Sequence, residues 1–432
     1  MAKKGPQVIQ NSFLRATKIF ASGARVAARE IAGQVSGGTS IATRLKQAQD
    51  IVNTLGELKG AAMKAGQILS IDAAQYLPPE VVSVLRQLQD QVTFMPYDQV
   101  RYILQRQLGQ ARFETIENLS IEPIAAASIG QVHKATIDGK PVAIKIQYPG
   151  VATSIDSDLK ALRKLAVAAL KVMGKNIDLT PVLDEITKSL KQEVNYRIEA
   201  DMIELTRRTM TNPNYVIPEV YRDFSTDTVL TLSFEEGVKI SDWMKNHEDK
   251  AERSHVTALI VDLLIDEVIA TGVVQTDPNF ANFLYRPSER KLVLLDFGAT
   301  WIYGSELREY LQAQTLSLFE GDIDGVMEAI QNRGYLSKKE SDGVRSSVRE
   351  LLEIVRDVAS PEAQPLFLAN RDLNQKLMNT TQRLGLAIEH TAPPKDLVLI
   401  GRKLGGMLSL IREMGTEINL ISVKQRLAAV KV

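Results

Sequence analysis

Between Val274 and Gly298 the chain carries side chains whose types and spacing could handle phosphate. Asp277 and Asn282 stand five positions apart, and the apolar run Lys291-Leu292-Val293-Leu294-Leu295 ends in Asp296-Phe297-Gly298. Asp277 to Asn282 reads D-x-x-x-x-N and Asp296 to Gly298 reads D-F-G, the two motif halves of a phosphoryl-transfer site. D-F-G alone is more often just a strand entering a turn. Joined to D-x-x-x-x-N at this interval, it predicts a phosphoryl-transfer site that uses a nucleotide, with further parts upstream.

Those parts require a strand lysine, a helix glutamate and a loop over the phosphates. Asp138-Gly139 separates two β-rich runs, a strong hairpin signal, and the second run reads Val142-Ala143-Ile144-Lys145. Lys145 is therefore placed against the α- and β-phosphates. Upstream of it, Ala125-Ala126-Ala127-Ser128 occupies the place of a glycine-rich loop. Alanine at Ala125 and Ala127 keeps the backbone farther from phosphate than glycine would. A helical pattern from Thr180 to about Met210 offers Glu193 and Glu199, with a further helix expected from Ser154 to Met173. Val229 to Phe234 reads as a buried strand, and Glu235-Glu236-Gly237 as a hinge whose backbone would meet an adenine edge. A helix is expected from Ser241 through Thr271, with helices again from Ser305 to the end. Leu404-Gly405-Gly406-Met407-Leu408 would be a close helix contact or a lipid-facing groove, core packing being favoured. Ala-Pro-Glu is absent after Gly298, and the residues before Ser305 are too few for a peptide-docking segment.

Composition narrows the alternatives. The 432 residues include 52 basic and 52 acidic side chains, which removes a global electrostatic argument for nucleic acid. With no cysteine and four scattered histidines, disulfides, thiol catalysis and a zinc site are not expected. The most apolar stretch, His255 to Val274, is interrupted by Asp262, Asp266 and Glu267, so no transmembrane segment is expected. Residues 1–29 hold Lys3, Lys4, Arg15, Lys18, Arg25 and Arg29 without an acid. Three readings stay open there: an amphipathic helix on anionic lipid, an organelle-targeting peptide, or a solvated helix packed on its own domain. Cytoplasmic placement, peripheral to a membrane in the first case, is the expectation. Helical patterns at Ile41 to Ser70, after Leu77-Pro78-Pro79-Glu80, and at Tyr97 to Leu108 make the N-terminal part an interaction module.

With these pieces in order, the sequence resembles the UbiB/ADCK (AarF) atypical kinase family, the protein-kinase-like proteins tied to ubiquinone and isoprenoid-lipid metabolism. Lys64-Ala65-Gly66-Gln67 matches that family's K-x-G-Q motif, and Ala125-Ala126-Ala127-Ser128 its alanine-rich loop. The resemblance covers roughly residues 45 to 300 and is weaker beyond. It implies an α+β, bilobal protein-kinase-like fold: a helical extension over 1–110, an N-lobe with an inserted helix over 111–236, and a helical C-lobe over 237–432. It further implies that Lys145 contacts phosphate and pairs with Glu199, that Asn282 and Asp296 hold Mg²⁺, and that Asp277 is the catalytic-loop group. Lys64 and Gln67 would occlude the peptide site, with Lys64 reaching Glu193. Three positions depart from the family pattern. Its E-x-D reads Glu193-Val194-Asn195, Gln275 stands where His is usual, and Asn279-Phe280-Ala281 replaces His-Pro-Gly.

The resulting expectation is an Mg²⁺-dependent, ATP-binding atypical kinase or ATPase supporting ubiquinone or isoprenoid-lipid metabolism, with a small-molecule or lipid acceptor. A catalytically idle, nucleotide-gated scaffold that binds lipid or partner proteins is the alternative, and a conventional protein kinase ranks third.

Overall fold

The computed structural model describes residues 94–127, 129–153, 155, 184, 187, 190–277, 279–337, 340–387 and 395–432. The expected basic N-terminal helix, the helices at 41–70 and after 77, Lys64, Gln67, Ser128 and the helix at 154–173 lie outside the described residues. In chain order the first elements are α1 (Tyr97–Leu108), α2 (Gln110–Glu114), β1 (Ile116–Glu117), β2 (Ala125–Ala127), β3 (Gly130–Ile137) and β4 (Lys140–Gln147). They are followed by α3 (Tyr196–Thr209), β5 (Tyr215–Val216) and β6 (Val229–Ser233). The chain divides into two compact units: residues up to Ala200 with Val220–Phe234, and Asp201–Glu219 with Glu235–Val432.

The first unit is built on a five-stranded sheet in the order β1-β3-β4-β6, with β2 also paired to β3. The β3–β4 hairpin closes through Asp138 and Gly139, whose φ values of 50° and 72° are the left-handed pair of a two-residue turn with the twist of the strands. Alternation along β4 sends Val142, Ile144 and Ile146, all fully buried, to one face and Lys145 to the other. At the start of β3, a Cβ added to Gly130 would lie 2.3 Å from the Ile146 carbonyl oxygen. Backbone cannot yield there, so Gly130→Ala is expected to destabilise the protein by roughly 1–3 kcal/mol, read from urea unfolding midpoints.

Polar side chains tie the segment before α1 to this sheet. His133 is fully buried; its Nδ1 lies 2.8 Å from the Ser120 carbonyl oxygen and its Nε2 2.8 Å from Gln131 Nε2. Gln131 Oε1 in turn accepts the Met95 N–H at 2.6 Å. These partners select the Nδ1–H tautomer, in which Nε2 accepts from the Gln131 amide. Burial lowers the His133 pKa from 6.5 and outweighs the hydrogen bond to Ser120, which acts the other way. The unfolded chain therefore takes up this proton first as pH falls. The stability contributed by neutral His133 is complete above the unfolded pKa and is lost as pH drops from there through the lowered folded value. Urea midpoints taken at about pH 7.5 and pH 5.5 should differ more in the wild type than in His133→Gln.

The helical pattern expected from Thr180 to Met210 is interrupted. A helical stretch at 190–193 ends at Val194, whose carbonyl accepts Gln147 Nε2 at 2.8 Å, and Asn195 stands between the segments. Asn195 Oδ1 accepts the Arg197 N–H at 3.0 Å and so caps the start of α3, while the Tyr196 N–H donates to the Asp227 carbonyl at 3.0 Å. The asparagine that departs from E-x-D is thus a helix cap.

The second unit is mostly helical. Its elements continue with β7 (Val238–Lys239), α4 (Ile240–Asn246), α5 (Lys250–Ile265), β8 (Val273–Gln275), β9 (Phe283–Arg286), β10 (Lys291–Leu294) and β11 (Thr300–Ile302). Next come α6 (Ser305–Phe319), α7 (Ile323–Asn332), α8 (Asp342–Ala359), β12 (Leu366–Phe367), α9 (Arg371–Ala387), α10 (Lys395–Met414), β13 (Glu417–Ile418) and α11 (Leu420–Ala429). A small sheet runs β5-β10-β9-β7, and β8 pairs with β11. The single helix expected from Ser241 to Thr271 is two helices, because Asp249 caps a new start by accepting the Ala251 N–H at 2.8 Å. After α5 the backbone widens into a π-type turn over Asp266–Thr271, closed by Gly272 at φ 68°. The C-terminal region also holds the β12–β13 pair, so it is not helical throughout. In α10 Met407 is buried, whereas Leu404 and Leu408 are exposed, and a Cβ on Gly405 would meet nothing within 4 Å. Core packing therefore applies to Met407, and the glycine makes no close helix contact among the described residues.

Candidate active site

In the first unit Lys145 and Glu199 form a buried pair. β4 fixes Lys145 between Val132 of β3 and Leu230 of β6, and the first turn of α3 presents Glu199. Lys145 Nζ lies 2.9 Å from both Glu199 carboxylate oxygens, and Glu199 is 2% exposed. The ammonium also stands 5.0 Å from the ring centroid of buried Tyr196, a favourable cation–π position. Tyr196 reaches further, since its hydroxyl lies 3.0 Å from where a Cβ of Gly130 would be. A lysine so held has a fixed direction, as a phosphate contact requires. Ala125, Ala126 and Ala127 form β2 in register with Val132, Gln131 and Gly130, which makes the alanine loop an extension of the sheet. Glu193 is buried at the end of the stretch at 190–193.

In the second unit a hairpin carries Asn282 and Asp296. β9 and β10 pair from Arg286↔Lys291 to Phe283↔Leu294, and the ladder ends with the Leu295 N–H donating to the Asn282 carbonyl at 3.0 Å. Asn282 therefore precedes one strand and Asp296 follows the other, at the same end of the hairpin. Asn282 Nδ2 donates to the Asp277 carbonyl at 3.2 Å, which orients the amide so that Oδ1 is its acceptor atom. Asp296 Oδ1 accepts the Gly298 N–H at 3.0 Å. Thr276 ties the two segments together, its N–H and its hydroxyl both donating to the Ala299 carbonyl, at 2.9 and 2.7 Å. Asn279 Oδ1 accepts the Ala281 N–H at 3.0 Å and caps a short 3₁₀ turn over Phe280–Asn282. The loop that departs from His-Pro-Gly is thus closed by its own asparagine.

At the hinge, Glu235 pairs with Arg286 at 2.9 Å, and Arg286 Nε donates to the Glu236 carbonyl at 3.0 Å. The hinge carboxylate is engaged with β9, leaving the backbone as the part suited to a base edge.

Sequence reasoning used the carboxylates at Asp262, Asp266 and Glu267 only to exclude a membrane span and gave them no partners. Glu267 is 3% exposed and pairs with Lys403 of α10, which is 0% exposed. Burial pushes the Glu267 carboxyl up, while the Lys403 ammonium acts in the opposite direction. Three carboxylates in an apolar helical run were the available signal, because buried charge has to be paired.

Among the described residues no three His, Cys, Asp or Glu side chains converge on one point. The Asn282 and Asp296 oxygens still fit Mg²⁺, which is commonly bound by one or two carboxylates plus substrate phosphates.

Residues 87–330 match the ABC1 atypical kinase-like domain. The atypical kinase coq-8, mitochondrial, of Caenorhabditis elegans is 31% identical over 85% of this chain and 49% of its own length. The Saccharomyces cerevisiae atypical kinase COQ8, mitochondrial, is 29% identical over 88% of this chain and 76% of its own. The rat atypical kinase COQ8B, mitochondrial, is 31% identical over 83% of this chain and 67% of its own. This chain thus spans about half the length of the nematode relative. Among solved structures, the complex of Rv3197 with erythromycin from Mycobacterium tuberculosis aligns with a TM-score of 0.62 at 26% identity, covering 88% of this chain and 95% of that one. No described helix is long and apolar enough to cross a membrane. The α+β architecture, the kinase-type motifs and these matches agree: the chain belongs to the ABC1 (UbiB/ADCK) family of atypical kinases.

Proposed function

We propose that the chain binds ATP with Mg²⁺ and either hydrolyses it or passes the γ-phosphoryl group to a small or lipid-linked acceptor, in support of ubiquinone or isoprenoid-lipid metabolism. The observation that carries this reading is the buried Lys145–Glu199 pair, which fixes an ammonium on a sheet strand in the manner of a phosphate contact. Lys145 would hold the α- and β-phosphates and the Glu235–Gly237 backbone the adenine, with Ala125 to Ser128 covering the nucleotide. Asp277 would orient the attacking hydroxyl or water and accept its proton as the bond from γ-phosphorus to its bridging oxygen breaks. Asn282 and Asp296 would hold Mg²⁺, which supplies charge neutralisation on the phosphate oxygens. Most of the rate enhancement would come from positioning and electrostatics.

The domain reading stays with this proposal: extension 1–110, N-lobe 111–236, C-lobe 237–432. Lys64 and Gln67 would block peptide substrates, with Lys64 meeting Glu193, and residues 1–30 would touch anionic lipid or direct the chain to an organelle. The names of the nematode, yeast and rat relatives as mitochondrial kinases favour the organelle setting.

The test is phosphate release from Mg-ATP with and without anionic liposomes. Release above an Asp296→Asn control supports the proposal, and none above it contradicts turnover. A large thermal shift with Mg-ATP but no release would favour the alternative, a nucleotide-gated scaffold.

A further inference from the structure

Lys145 and Gln147 stand two residues apart on β4 and, by strand alternation, on the same face, opposite to buried Ile144 and Ile146. Both reach the chain around the start of α3. Lys145 Nζ meets the Glu199 carboxylate, and Gln147 Nε2 donates to the Val194 carbonyl at 2.8 Å. Gln147 is 4% exposed, and an amide buried to that extent needs a polar partner. Val194 offers one because it ends the helical stretch at 190–193, where a carbonyl has no partner inside its own helix. The next carbonyl, that of Asn195, is taken up by α3: it accepts the Ile198 N–H at 3.0 Å and the Glu199 N–H at 3.4 Å. Gln147 therefore holds the chain at the joint between the helical segments that carry Glu193 and Glu199.

Backbone hydrogen bonds close the same joint from β6. The Gln147 N–H donates to the Thr228 carbonyl and the Tyr196 N–H to the Asp227 carbonyl, each at 3.0 Å, so the residues before β6 bring together the end of β4 and the first residue of α3. Tyr196 is fully buried there, its ring beside the Lys145 ammonium. All of these residues lie in the first unit. The first turn of α3 cannot slide along β4 without leaving a buried amide and backbone groups unpaired, which is the expensive way to lose a hydrogen bond. Since a helix glutamate has to direct the strand lysine, whatever fixes the start of that helix also fixes the direction of the lysine.

We propose that Gln147 is a positioning residue for Lys145: by holding the Val194 carbonyl, its side-chain amide sets the start of α3 so that Glu199 meets the ammonium. The link to nucleotide rests on the function proposed above, but the positioning can be measured without it.

The test is Gln147→Met in the full chain, which keeps the length of the side chain and removes its donors. Gln147→Asn, whose amide is withdrawn by one methylene, replaces it if that variant does not fold. The first readout is the coupling between Lys145 and Glu199, taken from urea midpoints of Lys145→Met, Glu199→Leu and their combination, with and without Gln147→Met. A side chain that only adds stability leaves this coupling unchanged, whereas loss of a positioning contact should reduce it by at least about half. The second readout, which also serves if a member of the cycle does not fold, is amide hydrogen exchange. Gln147→Met should speed exchange at Tyr196 at least about tenfold and at Ile144, in the middle of β4, less than about threefold. Mg-ATP binding should weaken about tenfold, as expected for a misdirected lysine. Unchanged coupling, equal acceleration at Tyr196 and Ile144, or unchanged Mg-ATP affinity in a chain that binds it overturns the proposal. A wild-type chain that does not bind Mg-ATP would instead contradict the function proposed above, and the coupling and exchange data would still decide the positioning.

Discussion

Asp296→Asn is expected to lower Mg²⁺-dependent ATP turnover by about 10²- to 10³-fold, the range for removing one preorganised electrostatic contact to the transition state. The substitution keeps the hydrogen bond that closes the turn after β10. Asn keeps an Oδ1 that can accept the Gly298 N–H, now at 3.0 Å, and it occupies nearly the same volume. What it removes is the negative charge at the end of the β9–β10 hairpin. Melting temperature should therefore change little while phosphate release collapses. A variant retaining more than about a tenth of wild-type turnover would mean that Asp296 holds no catalytic cation.

Lys145→Met should act on folding and on nucleotide together, and a second substitution should separate the two. Lys145 Nζ meets both oxygens of Glu199, which is 2% exposed. Taking away one member of a buried ion pair costs roughly 3–5 kcal/mol, because the charge that stays behind loses its neutralising contact in a low-dielectric setting. Lys145→Met combined with Glu199→Leu removes both charges and should recover most of that stability. It should recover none of the nucleotide affinity, since no ammonium remains to meet phosphate. Urea unfolding and Mg-ATP titration on the two variants give the comparison. Restored affinity in the double variant would show that Lys145 serves the fold alone.

The parts of this fold that follow from local chemistry were legible in the sequence. The Asp138-Gly139 hairpin, helix Tyr97–Leu108 and strand Val229–Ser233 are where propensity and turn residues place them, because in each case the local signal and the tertiary setting agree. The contact of Lys145 with Glu199, 54 positions apart, followed only from the family resemblance, because the helical pattern by itself offered both Glu193 and Glu199. Two kinds of feature were not legible. Caps at Asn195 and Asp249 break helices whose apolar periodicity runs straight through them, so periodicity alone fuses neighbouring helices. The Glu267–Lys403 pair joins residues 136 positions apart, calculated as 403 − 267, and no motif marks either one. The departures at Asn195 and Asn279, which read in the sequence as weakened family motifs, are each occupied in the structure as local caps. Gln275 contributes differently: its side-chain Oε1 is buried without a hydrogen-bond partner among the described residues.

The central claim is that nucleotide binds through Lys145 together with a cation on Asn282 and Asp296. Calorimetric titration of ATP into the full chain, once with Mg²⁺ and once with chelator, tests it most directly on the wild type and Asp296→Asn. The account predicts wild-type binding that weakens at least about tenfold when Mg²⁺ is withdrawn, and Asp296→Asn binding that is weak and indifferent to Mg²⁺. Equal affinity in all four titrations, or no ATP binding by the wild type in Mg²⁺, would contradict it.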